Sequence, residues 1–369
     1  MYHIFHHNDE DGISSAAVIY EYLKARNKKL GSKPIFQFYE IDYTVKLDSI
    51  LPEDKIRETD ELFFVDYSFS NPHNLEYMEH LADSAIAITW IDHHLTSKNI
   101  IDSIDWKKKY IDRGIIDAYI RTDYCATWIA YYYAYMNINN IPHDTINWYK
   151  FESIYYPLYI QYVDSWDTWK HNKNYTTEFN YGMRSIWHGP KNTFSLIFNH
   201  NSRLLNSLFC MNEKSKDRML KFLTEIAAKG RIIMDYVNET NKTLVKNLSF
   251  KCKIRDHINY KEYSVLCCNS KGNSTLFGDL INDYDIVCLF TFNGCIYVYS
   301  LYTNKEYVNC EEIAKLLASV DGLGGGGHAK AAGFQTYNEL LSDGCVVNIK
   351  RHLFSKKYKV SVDMPYILN

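Results

Sequence analysis

The chain lacks any apolar run long enough to cross a bilayer. After Met1 it passes through Tyr2-His3-Ile4-Phe5 into an acidic loop, without the basic start and apolar core of an export signal, so a soluble, cytoplasmic protein is expected. It has no CxxC pair and no regular cysteine framework. Nine cysteines, with Cys267 next to Cys268, read as reduced and mostly structural thiols. A dominant charge is missing too: a net charge of -3 and a pI near 6.5 give no general pull towards polyanions. Binding to long duplex nucleic acid is thereby disfavoured, and any nucleic-acid contact must be local or metal-mediated. No internal repeat is visible, and the one biased stretch is a run of glycines.

What is present suits a folded protein of two domains: 369 residues, 46% hydrophobic and 23% charged. Tyr2 to Phe5 reads as a strand, then a polar loop, then a helix from Ile13 to Arg26 with apolar residues at helical spacing. Further strands follow at 35–41, 62–65 and 85–91, and Asn71-Pro72 opens a helix to about Ala82. Strands alternating with helices predict an α/β fold with a mainly parallel βαβ sheet, and acidic loops fall at three of its strand ends. Helices are expected at 122–135 and 154–163, an irregular connection at 188–201, and one or two helices at 212–246 interrupted near Gly230. A second, smaller α/β domain starts near Phe250, with strands at 263–267, 286–290 and 296–301, a helix at 311–318 and a loop at 322–327. The expected division is 1–205, a helical linker at 206–248, and 249–369, with a cleft between the domains.

Five stretches carry chemistry. His7-Asn8-Asp9-Glu10-Asp11-Gly12 offers two aspartates separated by one residue, which can point to two cations about 3.5–4 Å apart, with an imidazole nearby. Gly12 would permit a tight turn into the helix. Taken alone, the hexapeptide reads equally as a solvated loop with an N-capping Asp. Asp66, at a strand end, could bridge cations or cap a turn. In Asp92-His93-His94 one imidazole could ligate a metal while its neighbour, projecting differently, donates to a phosphate; a solvated turn is the plainer alternative. Asp164 and Asp167 lie in a tryptophan-rich helix end that could simply pack on the core. Gly324 to Gly327, followed by His328 and a small apolar run to Phe334, suits backbone capture of an anion beside a tightly packed helix; a linker would stay polar. The tyrosine-rich segments 131–133 and 155–156 are expected to be half-buried helix faces rather than stacking platforms. Lys350-Arg351 and Lys356-Lys357 read as a solvated edge.

In this order, HNDEDG, FFVDYS, WIDHH, YVDSWDTW and GGGGHAKAAGF resemble the DHH phosphoesterase superfamily, a DHH domain followed by a DHH-associated domain, over almost the whole chain. Within it the chain is most similar to the nanoRNase (oligoribonuclease) group of the NrnB/NrnA kind. The resemblance implies two divalent cations, manganese in the first place and magnesium as the alternative. Asp9, with His7, and the bridging Asp66 would hold one; Asp11, Asp66, His93 and Asp164, or Asp167 in its place, would hold the other. His94 would contact the scissile phosphate, with Asp92 orienting an imidazole, and Gly325, Gly326, Gly327 and His328 would bind the substrate's end. Asp66, His93 and His94 are thus the implied catalytic residues. The implied reaction is attack of a two-metal-activated water on short RNA, releasing nucleoside 5'-monophosphates as an exonuclease does.

The chain departs from that pattern twice. Phe5 stands where many members have a histidine, so His7 or His6 would substitute. Tyr302, in Ser300-Leu301-Tyr302-Thr303, stands in place of an arginine and suggests stacking on a base. The implied partner is short single-stranded RNA or a small nucleotide, without a membrane; homodimerisation is left open. The rival readings are a phosphodiesterase or phosphatase for signalling nucleotides (cyclic dinucleotides, their linear products or 3'-phosphoadenosine 5'-phosphate) and a nucleotide-binding module without catalysis. A pyrophosphatase sharing the acidic motifs would not carry the glycine run.

Overall fold

The computed structural model describes residues 1–43, 45–84, 86–141, 156–186, 213–319, 324–351 and 358–364. The chain divides into two compact units, 1–234 and 235–369.

Five strands form the sheet of the first unit: β1 (Tyr2–His7), β2 (Phe36–Ile41), β3 (Glu61–Val65), β4 (Ala87–Asp92) and β5 (Ile116–Ile120). All pairs are parallel, in the order β2-β1-β3-β4-β5. Alternate residues enter opposite cores. Ile4, Phe63, Val65 and Ile91 pack on one face, and Phe5, Phe64 and Trp90 on the other, which is why these strands read as continuous apolar runs. Helices α1 (Glu10–Lys29) and α4 (Ala126–Ile138) cover the first face, and α2 (Pro72–Asp83) packs on the second. Asn71 caps α2 through its side chain, as the Asn-Pro pair predicts. Short α3 (Leu95–Asp102) follows β4. Tyr131, Tyr132, Tyr133 and Tyr156 are buried core residues, while Tyr155 lies outside the described residues.

Helices α5 (Leu158–Asp167), α6 (Thr176–Ile186) and α7 (Glu213–Leu248) follow in the chain. The expected connection at 188–201 lies outside the described residues. The expected break near Gly230 is corrected: α7 runs through it without interruption. Gly230 is there because α6 lies against it. A Cβ at Gly230 would collide with the Glu178 carbonyl oxygen, and one at Gly182 with that of Ile226. Helix propensity favours alanine over glycine by about 1 kcal/mol, so Gly230→Ala sets propensity against packing. Packing is expected to win, with a net loss of about 1–3 kcal/mol in urea denaturation; an unchanged midpoint would show that the helices do not need this approach.

The second unit is built on an eight-stranded mixed sheet, β6 (Ser249–Asp256), β7 (Lys261–Asn269), β8 (Ile286–Phe292), β9 (Tyr297–Tyr302), β10 (Gly325–His328), β11 (Ala331–Thr336), β12 (Val346–Arg351) and β13 (Tyr358–Asp363). Its order is β10-β11-β9-β8-β7-β6-β12-β13. Helix α8 (Cys310–Ala318) packs its apolar side into the core of this sheet. The glycine run departs from expectation. Residues 325–336 form an antiparallel hairpin, β10 with β11, where a loop and a small-residue helix were anticipated. A Cβ at Gly325 would meet the α8 backbone at Ala314 at 2.8 Å, and Gly327 has φ +144, so these two glycines serve helix packing and the hairpin. The described cysteines form no disulfide, and all but Cys295 are buried. Among the described residues no helix is long and apolar enough to cross a membrane.

Candidate metal centre

In the order β2-β1-β3, the chain leaves β1 on one side and β3 on the other. The carboxyl ends of these strands therefore open a crevice at the point where strand order reverses. His7 ends β1, Asp66 follows β3 and His93 follows β4, so the three loops converge on that crevice.

Asp9 is the N-cap of α1, its Oδ1 accepting from the Gly12 amide at 2.9 Å. Its Oδ2 lies 2.8 Å from His7 Nδ1. Burial would raise the Asp9 pKa, but the His7 imidazole and the Gly12 amide outweigh it and hold Asp9 down to about 2. The same bond raises His7. Gly12 makes no tight turn: it lies inside α1, where a Cβ would collide with the His7 carbonyl oxygen. The helix must press this close to bring Asp11 inward. Asp11, 1% exposed, accepts from the Ala126 and Thr127 amides at 2.7 and 2.8 Å, capping α4 across the site.

Asp66 is the centre of the arrangement. It is 1% exposed and sits at φ +53, a left-handed conformation that aspartate tolerates better than most residues. Its Oδ2 lies 4.0 Å from His7 Nδ1 and its Oδ1 3.3 Å from His93 Nε2. His93 Nε2 also faces Asp167 Oδ2 at 3.3 Å and Asp11 Oδ2 at 3.9 Å. One ring nitrogen cannot serve three carboxylates, and Asp66 Oδ1 and Asp167 Oδ2 have no hydrogen-bond partner among the described residues. Burial, then the neighbouring Asp9 and Asp11 charges, push Asp66 far above the ordinary carboxylate range; burial and Asp11 do the same to Asp167.

Buried acids in mutual repulsion with unpaired oxygens fit divalent cations. The candidate ligand atoms of His7, Asp9 and Asp66, and those of Asp11, His93 and Asp167, lie within 4.8 Å of one another in each set. Ligands of a cation such as magnesium lie ~3 Å apart when adjacent in an octahedral shell, close to the 3.3 Å separations around His93.

Of the two acids on α5, the structure brings Asp167 to His93. Asp164, also expected as a ligand, is engaged elsewhere: its Oδ1 accepts from the Cys125 amide at 2.9 Å and its Oδ2 pairs with Lys170 at 2.8 Å. Of the two upstream histidines, His7 reaches the acids. His6 is buried in the sheet, and burial lowers its pKa to about 4. Phe5 is core, stacked between Tyr39 and Phe64.

The two histidines after β4 differ. Asp92 accepts from His94 Nδ1 at 2.8 Å and from the Ser97 hydroxyl, fixing the ring with Nε2 outward. Burial would lower the His94 pKa, but Asp92 overrides it and raises it. His93→Ala is therefore expected to weaken manganese binding at least about tenfold, the loss typical of disturbing a ligand shell. His94→Ala should leave that affinity intact while slowing turnover about 10²-fold, as loss of one preorganised donor does. Calorimetric titration with manganese alongside steady-state rates reads both, and the opposite pattern would exchange the two roles. Sequence reasoning missed Tyr43, whose hydroxyl lies 3.3 Å from His94 Nε2 and whose ring stacks on Tyr67. It sits between elements, with no periodicity to mark it.

In the second unit Gly325 to His328 form an edge strand, and Tyr302 is half-buried against Val287 and Leu289. The side chain of His328 lies outside the described residues.

Residues 2–149 match the DHH family, N-terminal domain. No curated protein matches the chain. Among solved structures it is similar to a pGpG-specific phosphodiesterase, PggH, from Vibrio cholerae, with 14% identity, a TM-score of 0.42, and coverage of 91% of this chain and 94% of that one. It is similar also to RecJ in complex with Mn2+ from Thermus thermophilus, with 14% identity, a TM-score of 0.41, and coverage of 90% and 49%. An uncharacterized protein from Helicobacter pylori shares 18% identity at a TM-score of 0.38, with coverage of 93% and 95%.

Proposed function

From an N-terminal domain, residues 2–149, that belongs to the DHH family, we propose that the protein is a divalent-cation-dependent phosphodiesterase that hydrolyses short RNA oligonucleotides to nucleoside 5'-monophosphates. The observation that carries this reading is Asp66, a buried carboxylate with one oxygen towards the His7 side and the other, unpartnered, towards His93. In this proposal His7, Asp9 and Asp66 hold one cation, and Asp11, Asp66, His93 and Asp167 hold the other, with manganese first and magnesium as the alternative. When bound, such a pair neutralises a phosphodiester and acidifies a water, so no serine or cysteine nucleophile is needed.

The chain's own residues supply the rest. Asp92 fixes the His94 ring, whose Nε2 then donates to a phosphoryl oxygen as charge develops there. Asp11 and Asp164 hold the N-terminus of α4 and with it the wall beside His93. In the second unit the strand Gly325 to His328, at the sheet edge among the described residues, would offer backbone groups to a phosphate, and Tyr302 a surface for a base. The modest net charge of -3 accords with short substrates rather than a long polyanion.

The test is the purified protein with manganese and a panel of labelled dinucleotides, longer RNAs, cyclic dinucleotides and 3'-phosphoadenosine 5'-phosphate. Preference for dinucleotides and other short RNAs is expected. Preference for cyclic dinucleotides or the bisphosphate would replace the substrate, and binding without turnover of any phosphoester would overturn the enzyme reading.

A further inference from the structure

A cavity of about 420 Å³ adjoins the carboxylates on the α5–α6 side, within the range of about 300–1,000 Å³ that small-molecule sites occupy. Asp9, Asp11 and Asp167 form its acidic end, and Trp166, Asn180 and Arg184 stand around the remainder. Trp166 immediately precedes Asp167, so the ring and the carboxylate leave one helix end side by side.

Three features mark this cavity. Arg184 has no carboxylate within ion-pair distance among the described residues, although its charge acts on Glu10; its guanidinium lies over the Trp166 ring at 5.8 Å and the Tyr181 ring at 6.0 Å. Asn180 is 2% exposed and donates to Glu10 at 2.7 Å, yet Asn180 Oδ1 and Glu10 Oε1 have no partner among the described residues. Buried acceptors left in this way call for a donor. The loop after α5 packs Trp169 and His171 against Trp166, with centroids 5.5 and 5.6 Å away, and does so with non-glycine residues in the left-handed region: Trp169 at φ +54, His171 at +44 and Tyr175 at +67. Such conformations persist where the surroundings impose them. Here they hold an aromatic cluster beside the candidate metal centre.

We propose that this cavity is a nucleobase subsite, in which the base of the nucleoside adjoining the scissile phosphate stacks on the wall made by Trp166 and Arg184. Stacking on an aromatic ring that carries a guanidinium over it tolerates any base, and Asn180 and Glu10 give the cavity wall a polar edge. Trp166 then holds the base and contributes binding alone, without touching the reacting atoms. The proposal rests on the phosphodiesterase reading for its choice of substrate.

The experiment compares Trp166→Leu, Trp166→Phe and Arg184→Ala with the wild type on a dinucleotide and on its doubly abasic analogue. Trp166→Leu is expected to raise KM for the dinucleotide about tenfold or more, the loss of one base stack, with kcat within about twofold; Trp166→Phe restores most of it. Arg184→Ala should raise KM by a smaller factor, and turnover of the abasic analogue should be the same in all four proteins. If the wild type cleaves the dinucleotide and Trp166→Leu leaves KM unchanged, or slows both substrates alike, the subsite is overturned while the phosphodiesterase reading stands. If the wild type cleaves neither, calorimetric titration with adenosine 5'-monophosphate decides. Affinity that falls in Trp166→Leu and returns in Trp166→Phe keeps the subsite and removes the enzyme reading, whereas no Trp166-dependent binding removes the subsite too.

Discussion

Replacing Asp66 by asparagine is expected to lower turnover by at least about 10³-fold, and at the same time to make the metal-free protein more resistant to heat. The two effects have one cause. Asp66 is buried, and Asp9, Asp11 and Asp167 all raise its pKa, so in the absence of a cation its charge opposes folding. Asparagine keeps the shape, accepts the left-handed backbone at φ +53 and retains the amide that donates to the Ile91 carbonyl. It removes the charge, and relief of about 1 kcal/mol in a unit of this size raises Tm by about 2–4 °C. Turnover falls because the carboxylate facing both ligand sets is gone: several kcal/mol of charge stabilisation are at stake, and each ~1.4 kcal/mol is a factor of ten. Rates with manganese and melting curves with chelator, measured on one preparation, test both. A variant that is inactive but less stable without metal would mean that Asp66 is an ordinary structural acid.

The second large effect is on pH. For the metal-free protein, stability is expected to fall as pH rises from the unfolded carboxylate value, about 4, towards 8. Burial raises Asp66 and Asp167, then Asp9 and Asp11 raise them further, and burial pushes Glu10 up to about 8. A carboxyl group with a raised folded pKa binds more protons folded than unfolded. Its contribution is therefore complete below the unfolded pKa and is lost as pH passes the folded one. His7 and His94, both raised by carboxylate partners, act in the same direction. Asp9, held down to about 2, acts oppositely under acid conditions below that window, and His6, which burial lowers from 6.5 to about 4, opposes the fall between those two values, so the fall is steepest above them. Manganese should reverse the slope, because cations bind the ionised site and stabilise the fold by mass action. Melting temperatures across this range, with chelator and with excess manganese, should diverge as pH rises; parallel curves would contradict the assignment of these acids to a cation site.

The strands and their acidic ends were readable because buried parallel strands leave continuous apolar runs. Leu62 to Val65 announces where Asp66 must stand, and Ile88 to Ile91 does the same for His93. Direction was harder to read than position. Asp164 and Asp167 are three residues apart on one helix, and which of them faces His93 depends on how α5 docks, which no local pattern encodes. The run after Gly324 is ambiguous in sequence because Ala331, Ala332 and Gly333 fit a helix or a strand equally. The decision came from α8, whose backbone needs Gly325 beneath it. Gly230 looks like a helix break for a related reason: the cause of that glycine is the Glu178 carbonyl, more than fifty residues away in sequence. Asp92 was legible as an orienting group, but Ser97 and Tyr43, which complete the surroundings of His94, carry no sequence signal of their own.

The claim on which the rest depends is that Asp66 serves two cations. Native mass spectrometry of the manganese-loaded protein, with calorimetric titration of the chelated form, counts them directly. The expected result is two manganese ions per chain for the wild type and neither held tightly by Asp66→Asn. A single ion in the wild type, or two retained after the substitution, would contradict it.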